Sequence, residues 1–252
     1  MYERKTSISK KKIRAQELFM NLLKERAETG RIYIMNIDHC NTHSSFKDKV
    51  YMSNLCQEIT LPTTPVQHID DENGEIALCI LSAVNLGLIR DKEDLEELCD
   101  LSVRALDEII DYQEYPILAA KQSAQSRRSL GIGYIGLAHY LAKNHVAYGD
   151  KEALELVDET TEAFQYYLLK ASNQLAIEKG QCEYFEKTKY SDGILPIDTY
   201  KKDIDKIVKR KLSYDWKQLR KDIQEHGLRH STLSAQMPSE SSSVVSNATN
   251  GI

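Results

Sequence analysis

The stretch EIALCILSAVNLGLI, Glu75–Ile89, decides the fold class. It is a nearly continuous apolar run. Such a run suits a strand buried on both faces, as in a parallel sheet lying under helices. The flanking segments fit that reading. Residues from about Asp91 to Asp111 have the spacing of an acidic amphipathic helix, and Pro116 opens another. SLGIGYIG, Ser129–Gly136, reads as a strand with small side chains. A long helix is predicted over Lys151–Lys179 with Gly180 as its stop. A shorter one is predicted over Asp215–His226, closed by Gly227, and STLSAQM, Ser231–Met237, reads as a final strand. Upstream, apolar residues between Ser9 and Glu28 recur at helical spacing and stop at Gly30. Arg31–Ile37 is strand-like, Asp38–Lys49 is loop-like, and Ser53–Ile59 is a strand ended by Pro62 and Pro65. Strands alternating with long helices predict an α/β protein, with an open sheet or a barrel.

Length and composition bound the function. The chain has 252 residues, 41% apolar and 28% charged, which is ordinary for a globular protein with a sizeable core. No apolar run has the length of a membrane span. The basic N-terminus has no apolar h-region and so is not a signal peptide. A net charge of −5 argues against a dedicated nucleic-acid binder. The five cysteines, Cys40, Cys56, Cys79, Cys99 and Cys182, are widely spaced without a CxxC pair. That favours a reducing cytoplasm, with one or two reactive thiols among inert ones, over a structural zinc site. Asp38, His39, Cys40 and His43 lack recognised metal-ligand spacing, so no metal is expected.

Three motifs invite chemistry. GIGYIG, Gly131–Gly136, matches GxGxxG, the mark of a dinucleotide-binding oxidoreductase. The preceding KQSAQSRR is no buried strand, and no second strand supplies the acidic partner. A tightly packed strand whose glycines let helices approach closely is the better reading. PSESSS, Pro238–Ser243, follows a strand and opens a helix; it fits a simple N-cap or an anion site built from hydroxyls and free N–H groups. In SNLCQEI, Ser53–Ile59, strand alternation puts Asn54, Cys56 and Glu58 on one face. That face is either a solvent edge or a site. A carboxylate beside a thiol raises the thiol pKa, so nucleophilic cysteine catalysis fits poorly. Hydrogen-atom chemistry needs no thiolate. Cys79, inside the apolar run, reads on its own as core filling.

SNLCQEI, then DENGEIALC, then MPSESSS, in that order, resembles the large catalytic subunit of class I ribonucleotide reductases, of the enterobacterial and T4-like phage type. The resemblance extends through ERAETGRIYIMNIDHCNTHSSF, QYYLLKASNQLA and GILPIDTYKKD, and covers essentially the whole chain. It implies the central part of a ten-stranded α/β barrel with an inserted finger loop. It implies that Cys56 is the thiyl-radical residue, Glu58 the base on the 3′ hydroxyl, and Asn54 a ribose ligand that helps water leave C2′. It makes Cys79 one half of a redox pair. Glu240, Ser241 and Ser242 would bind the substrate diphosphate, with Ser241 keeping the hydroxyl of the family's usual Thr. No cofactor is expected to bind directly. The radical would come from the metal cofactor of a small subunit, and the electrons from thioredoxin or glutaredoxin. ATP and dNTP effectors would bind segments outside this chain.

The implied partners are a ribonucleoside diphosphate, the remaining part of the large subunit, the small subunit and a second large subunit, with neither membrane nor nucleic acid. The resemblance also leaves the ATP-cone, the first barrel strands, the partner cysteine of Cys79 and the C-terminal part outside residues 1–252. The expectation is therefore an internal fragment or split-gene product, inactive without complementing chains. A non-catalytic truncated fragment is the alternative; the presence of Asn54, Cys56, Glu58 and Cys79 together argues against decay.

Overall fold

The computed structural model describes residues 6–7, 9–207 and 211–252; the basic N-terminal stretch lies partly outside them. The chain divides into two units, Met1–Met35 and Asn36–Ile252. The first holds helix α1, Ala15–Thr29, shorter at its start than the apolar spacing predicts. Gly30 ends it at φ 65°, its N–H donating to the Arg26 carbonyl at 3.0 Å. None of its residues is buried. The strand expected at Arg31–Ile37 does not form; these residues are irregular up to the first turn of α2.

In the second unit, the expected loop at Asp38–Lys49 begins instead as helix α2, Ile37–His43. Distant partners stabilise it. Lys189 Nζ donates to the Asn41 and Thr42 carbonyls at 3.0 and 2.9 Å, placing a cation on the helix C-terminus. The Asn41 amide exchanges hydrogen bonds with the Val50 backbone at 2.8 and 2.9 Å.

The apolar run forms strand β1 only over Ile80–Asn85, followed by a 3-10 turn at Leu86–Leu88. Helix α3, Glu93–Tyr112, follows and buries Leu95, Cys99, Val103, Leu106 and Ile110 along one stripe. Helix α4, Leu118–Arg127, leads into strand β2, Leu130–Ile135. β1 and β2 pair in parallel, Ile80 opposite Leu130 through Asn85 opposite Ile135. β2 is buried at every residue, whereas β1 is largely half-buried and Leu81 is 41% exposed. The expectation of a doubly buried strand thus holds for the glycine-bearing segment rather than the apolar run. The reason is position: among the described residues, β1 has one strand neighbour and β2 has company on both sides.

That second neighbour is the expected strand at Ser231–Met237. It does not form a regular strand, but it runs parallel to β2. Leu130 N donates to Thr232 O at 3.1 Å, Ile132 N to Leu233 O at 2.8 Å, and Ala235 N to Ile132 O at 3.2 Å. Beyond it the Gln236 amide replaces the backbone ladder, bonding both the N–H and the carbonyl of Tyr134. The glycines of β2 permit this approach. A Cβ on Gly133 would lie 2.4 Å from the Ala235 carbonyl, and one on Gly131 would lie 2.6 Å from the Leu81 side chain. The close neighbour is therefore an extended segment, not a helix.

Helices α5, Leu137–Lys143, and α6, Lys151–Lys179, complete the packed layer. α3 lies on α6, and the ion pairs Lys92–Glu159, Glu96–Lys170 and Arg104–Glu178 rise in step, so the two helices run the same way. α6 ends at Gly180 as predicted. α7, Pro196–Thr199, is a single turn, and α8, Trp216–His226, stops at Gly227. α9, Glu240–Val245, is the last helix described. The described residues are a mixed α/β array in which the two paired strands do not close on themselves.

Beneath β2 lies a buried charge cluster. Asp107 of α3 is fully buried and accepts from Arg128 Nε at 2.6 Å and Arg229 Nε at 3.2 Å, with Lys179 Nζ at 3.4 Å. Burial raises its pKa, but the facing His230 and then the guanidiniums of Arg128 and Arg229 hold the carboxyl well below the usual range. His230, also fully buried, shares a hydrogen bond with Ser172 Oγ at 2.9 Å through Nδ1. Its Nε2 lies 3.2 Å from Asp107 Oδ1 without the alignment of a full hydrogen bond. Burial pushes the His230 pKa down to about 4.

Candidate active site

The strand expected at 53–59 does not form: residues 55–58 make a turn and bend between irregular neighbours. Gln57 N donates to the Asn54 carbonyl at 3.3 Å, and Gln57 takes the left-handed region at φ 59°. That conformation breaks the two-residue alternation, so Asn54, Cys56 and Glu58 do not share a strand face. Local residue types favour a strand here; closure of the loop overrides them. The Ser53 hydroxyl donates to Ile59 O at 3.0 Å, and Asn54 Oδ1 lies 3.4 Å from Ile59 N. Cys56 stands exposed at the tip.

Glu58 turns inward. It is half-buried, and its Oε2 is enclosed without a hydrogen-bond partner. Two cavities meet at this side chain. One, of about 250 Å³, is also lined by His43, Ser44, Lys189 and Thr232. The other, of about 340 Å³, is lined by Gly133, Tyr134 and Gln236. Gln165 and Ser234 line both, joined by a 2.6 Å hydrogen bond from Ser234 Oγ. The alternation in Ser231–Met237 carries a signal for this pair of lining residues, since Ser234 and Gln236 fall on one face of an extended segment.

Cys79 sits just before β1, half-buried. Burial and then the negative charge of Glu58 push its pKa up to about 11. The turn thus brings Glu58 close to Cys79 across 21 positions of sequence, a neighbourhood that residue spacing does not reveal. Cys99 and Cys182 are buried, and both are pushed up chiefly by burial, Cys182 to about 12.

Glu240, Ser241 and Ser242 occupy the first turn of α9 and are exposed. Ser239 is the N-cap residue, yet its side chain makes no capping bond; its Oγ meets Asn250 Oδ1 at 3.3 Å. The first turn is therefore left without a side-chain cap. These residues line neither of the two cavities that hold Glu58. Among the described residues, no group of three or more His, Cys, Asp or Glu side chains could hold a metal ion, and no helix is long and apolar enough to cross a membrane.

Known proteins resemble the whole chain. Residues 1–252 match the family described as ribonucleotide reductase, barrel domain. The chain is 62% identical over 254 residues to a ribonucleoside-diphosphate reductase subunit alpha of Haemophilus influenzae, covering 100% of this chain and 34% of that protein. It is 60% identical to the ribonucleoside-diphosphate reductase 1 subunit alpha of Escherichia coli, covering 100% of this chain and 33% of that one. The subunit alpha of phage T4 is 47% identical, over 99% of this chain and 33% of its own length. The chain spans about a third of the length of the curated relatives it matches.

Proposed function

This chain belongs to the ribonucleotide reductase barrel-domain family, and on that premise we propose that it supplies the catalytic centre of a large subunit that reduces ribonucleoside diphosphates to 2′-deoxyribonucleoside diphosphates. Residues 1–252 are then the central part of a ten-stranded α/β barrel, with 53–59 as its finger loop. The ATP-cone, the first strands, the partner cysteine of Cys79 and the C-terminal part come from complementing segments. A small subunit delivers the radical from its metal cofactor, thioredoxin or glutaredoxin restores the dithiol, and ATP and dNTPs regulate through the complementing segments. The assembly works in the cytoplasm as a large-subunit dimer.

The chemistry follows from the side chains. A thiyl radical on Cys56 takes the hydrogen from C3′, forming S–H and leaving a carbon radical. Glu58 accepts the 3′-hydroxyl proton. The 2′ oxygen leaves as water, with Asn54 bonding the ribose hydroxyls. Cys79 and its partner cysteine supply two electrons and two protons and end as a disulfide. The proton then returns from Glu58 to the 3′ oxygen and the hydrogen from Cys56 to C3′, which regenerates the thiyl radical. The substrate diphosphate takes the uncapped first turn of α9, with Glu240, Ser241 and Ser242.

The observation that carries this reading is the enclosed, unpartnered Glu58 oxygen beside a cavity and close to Cys79. A carboxylate without a donor is ready to take a proton. A thiol kept protonated by burial and by that carboxylate still carries the hydrogen that the reduction consumes. The test is reconstitution: this chain, the remaining large-subunit segments and the small subunit are mixed, and conversion of CDP to dCDP is followed. Activity dependent on this chain is expected. Cys56→Ala abolishes it while substrate binding stays nearly intact, and Cys79→Ser stops multiple turnover with external reductant. Turnover retained by Cys56→Ala would overturn the assignment. A chain that adds nothing to fully folded complementing segments would favour the non-catalytic alternative.

A further inference from the structure

The loop carrying Cys56 is closed by four polar contacts, and none of them involves Cys56 or Glu58. The Ser53 hydroxyl donates to the Ile59 carbonyl at 3.0 Å and lies 3.3 Å from Asn54 Oδ1. Ile59 N approaches the same Asn54 oxygen at 3.4 Å. Gln57 N donates to Asn54 O at 3.3 Å. Ile59 itself is buried, its side chain reaching toward Gly131 of β2, so one end of the loop is anchored in the core. Ser53 is half-buried, while Asn54 and Cys56 are exposed.

We propose that Ser53 is a positioning residue, whose hydroxyl clasps the loop to the Ile59 backbone and turns the Asn54 amide so that its NH2 end faces substrate. This deepens the function proposed above and rests on it. The side-chain oxygen of Asn54 faces the Ile59 N–H at 3.4 Å, while the single Ser53 proton goes to the Ile59 carbonyl. An amide has one acceptor end and one donor end, so engaging the oxygen leaves Nδ2 outward. The end presented is then a donor, which suits an oxygen acceptor on the ribose such as the departing 2′ oxygen. Without the Ser53 hydroxyl, the Ile59 carbonyl loses its partner, and the Ile59 N–H that faces the Asn54 oxygen is no longer held in place. Gln57 holds a left-handed conformation that is unfavourable for a non-glycine residue. Closure of the loop by the clasp is what maintains it.

The experiment uses the large subunit reassembled from this chain and its remaining segments, with the small subunit present. Ser53→Ala is expected to lower kcat about tenfold with KM nearly unchanged, the loss of one hydrogen bond being worth about that factor. It is also expected to raise the rate at which iodoacetamide alkylates Cys56, because the tip is no longer held. Ser53→Thr keeps the hydroxyl and restores both readouts. Asn54→Asp still accepts from Ile59 N but has no NH2, so it lowers kcat; its added charge slows Cys56 alkylation, the opposite of Ser53→Ala. Equal losses in Ser53→Ala and Ser53→Thr would overturn the proposal, since the hydroxyl would not be the cause. So would wild-type kcat and alkylation in Ser53→Ala. If Ser53→Ala does not fold, Ser53→Thr and Asn54→Asp decide: wild-type kcat in Asn54→Asp, or lost kcat in a folded Ser53→Thr, overturns it. Turnover surviving Cys56→Ser would sink the parent reading instead, and the alkylation rates would still judge the clasp.

Discussion

Among the five thiols, environment rather than residue type sets reactivity. Cys56 is exposed, Cys40 and Cys79 are half-buried, and Cys99 and Cys182 are buried. With its pKa pushed up to about 11, Cys79 is mostly protonated at neutral pH. At pH 8 its thiolate fraction is about one in a thousand, and the thiolate is the nucleophile. The expected order in a mass-spectrometric alkylation time course is therefore Cys56 well before Cys79, with Cys99 and Cys182 unmodified until the chain is denatured. Labelling of Cys79 ahead of Cys56 in the folded chain would contradict the placement of both. Glu58→Gln removes the like charge beside Cys79 and is expected to speed its labelling. These reactivities are not legible in the sequence. They depend on a carboxylate that is distant along the chain and near in space.

At the scale of elements, β2 owes its place to its glycines. Gly133 lies against the Ala235 carbonyl, and the 2.4 Å approach of an added Cβ leaves backbone, not a flexible side-chain end, to move. Gly133→Ala is expected to push residues 232–236 off β2 and to cost about 1–3 kcal/mol, as overpacking does. A denaturant midpoint that does not change would remove the packing account of this glycine. The GxGxxG spacing was readable as packing because a helix precedes β2 where a dinucleotide site needs a strand. What the pattern did not reveal was the partner, an extended segment about 100 residues downstream. The helices were far more legible. α3, α6 and α8 lie within a few residues of their predicted bounds because apolar stripes and glycine stops are local signals.

For the molecule as a whole, the cluster around Asp107 ties α3 to the end of α4, the end of α6 and the residues after α8. It also makes stability depend on pH. His230 is kept neutral when folded, with a pKa of about 4, and gains a proton near its ordinary value of about 6.5 when unfolded. The unfolded chain therefore binds more protons in that window, and stability falls as pH drops from about 6.5 toward 4. Asp107 acts in the same direction at lower pH. Its carboxyl is held down by the facing His230 and then by Arg128 and Arg229, so its contribution is present above the unfolded value near 4 and is lost below it. Arg128 and Lys179 also pair with Asp111 and Glu108, which border the cluster. Thermal unfolding from pH 7 to 4.5 is expected to show a falling midpoint, and His230→Gln to flatten that fall. An equally steep fall in His230→Gln would assign the acid sensitivity elsewhere.

Residue identities and local periodicity sufficed for the α/β class, the long helices, their glycine stops and the family resemblance, because each is written in neighbouring positions of the chain. Tertiary structure alone decided the rest. A strand-like stretch became a turn once Ser53 and Asn54 found Ile59, and a loop-like stretch became α2 once Lys189 reached its C-terminus. The apolar run yielded the more exposed strand and the glycine-bearing segment the buried one, because burial depends on how many neighbours a strand acquires. Glu58 came to act on the Cys79 thiol for the same physical reason: charge and desolvation act through space, and only the fold sets those distances.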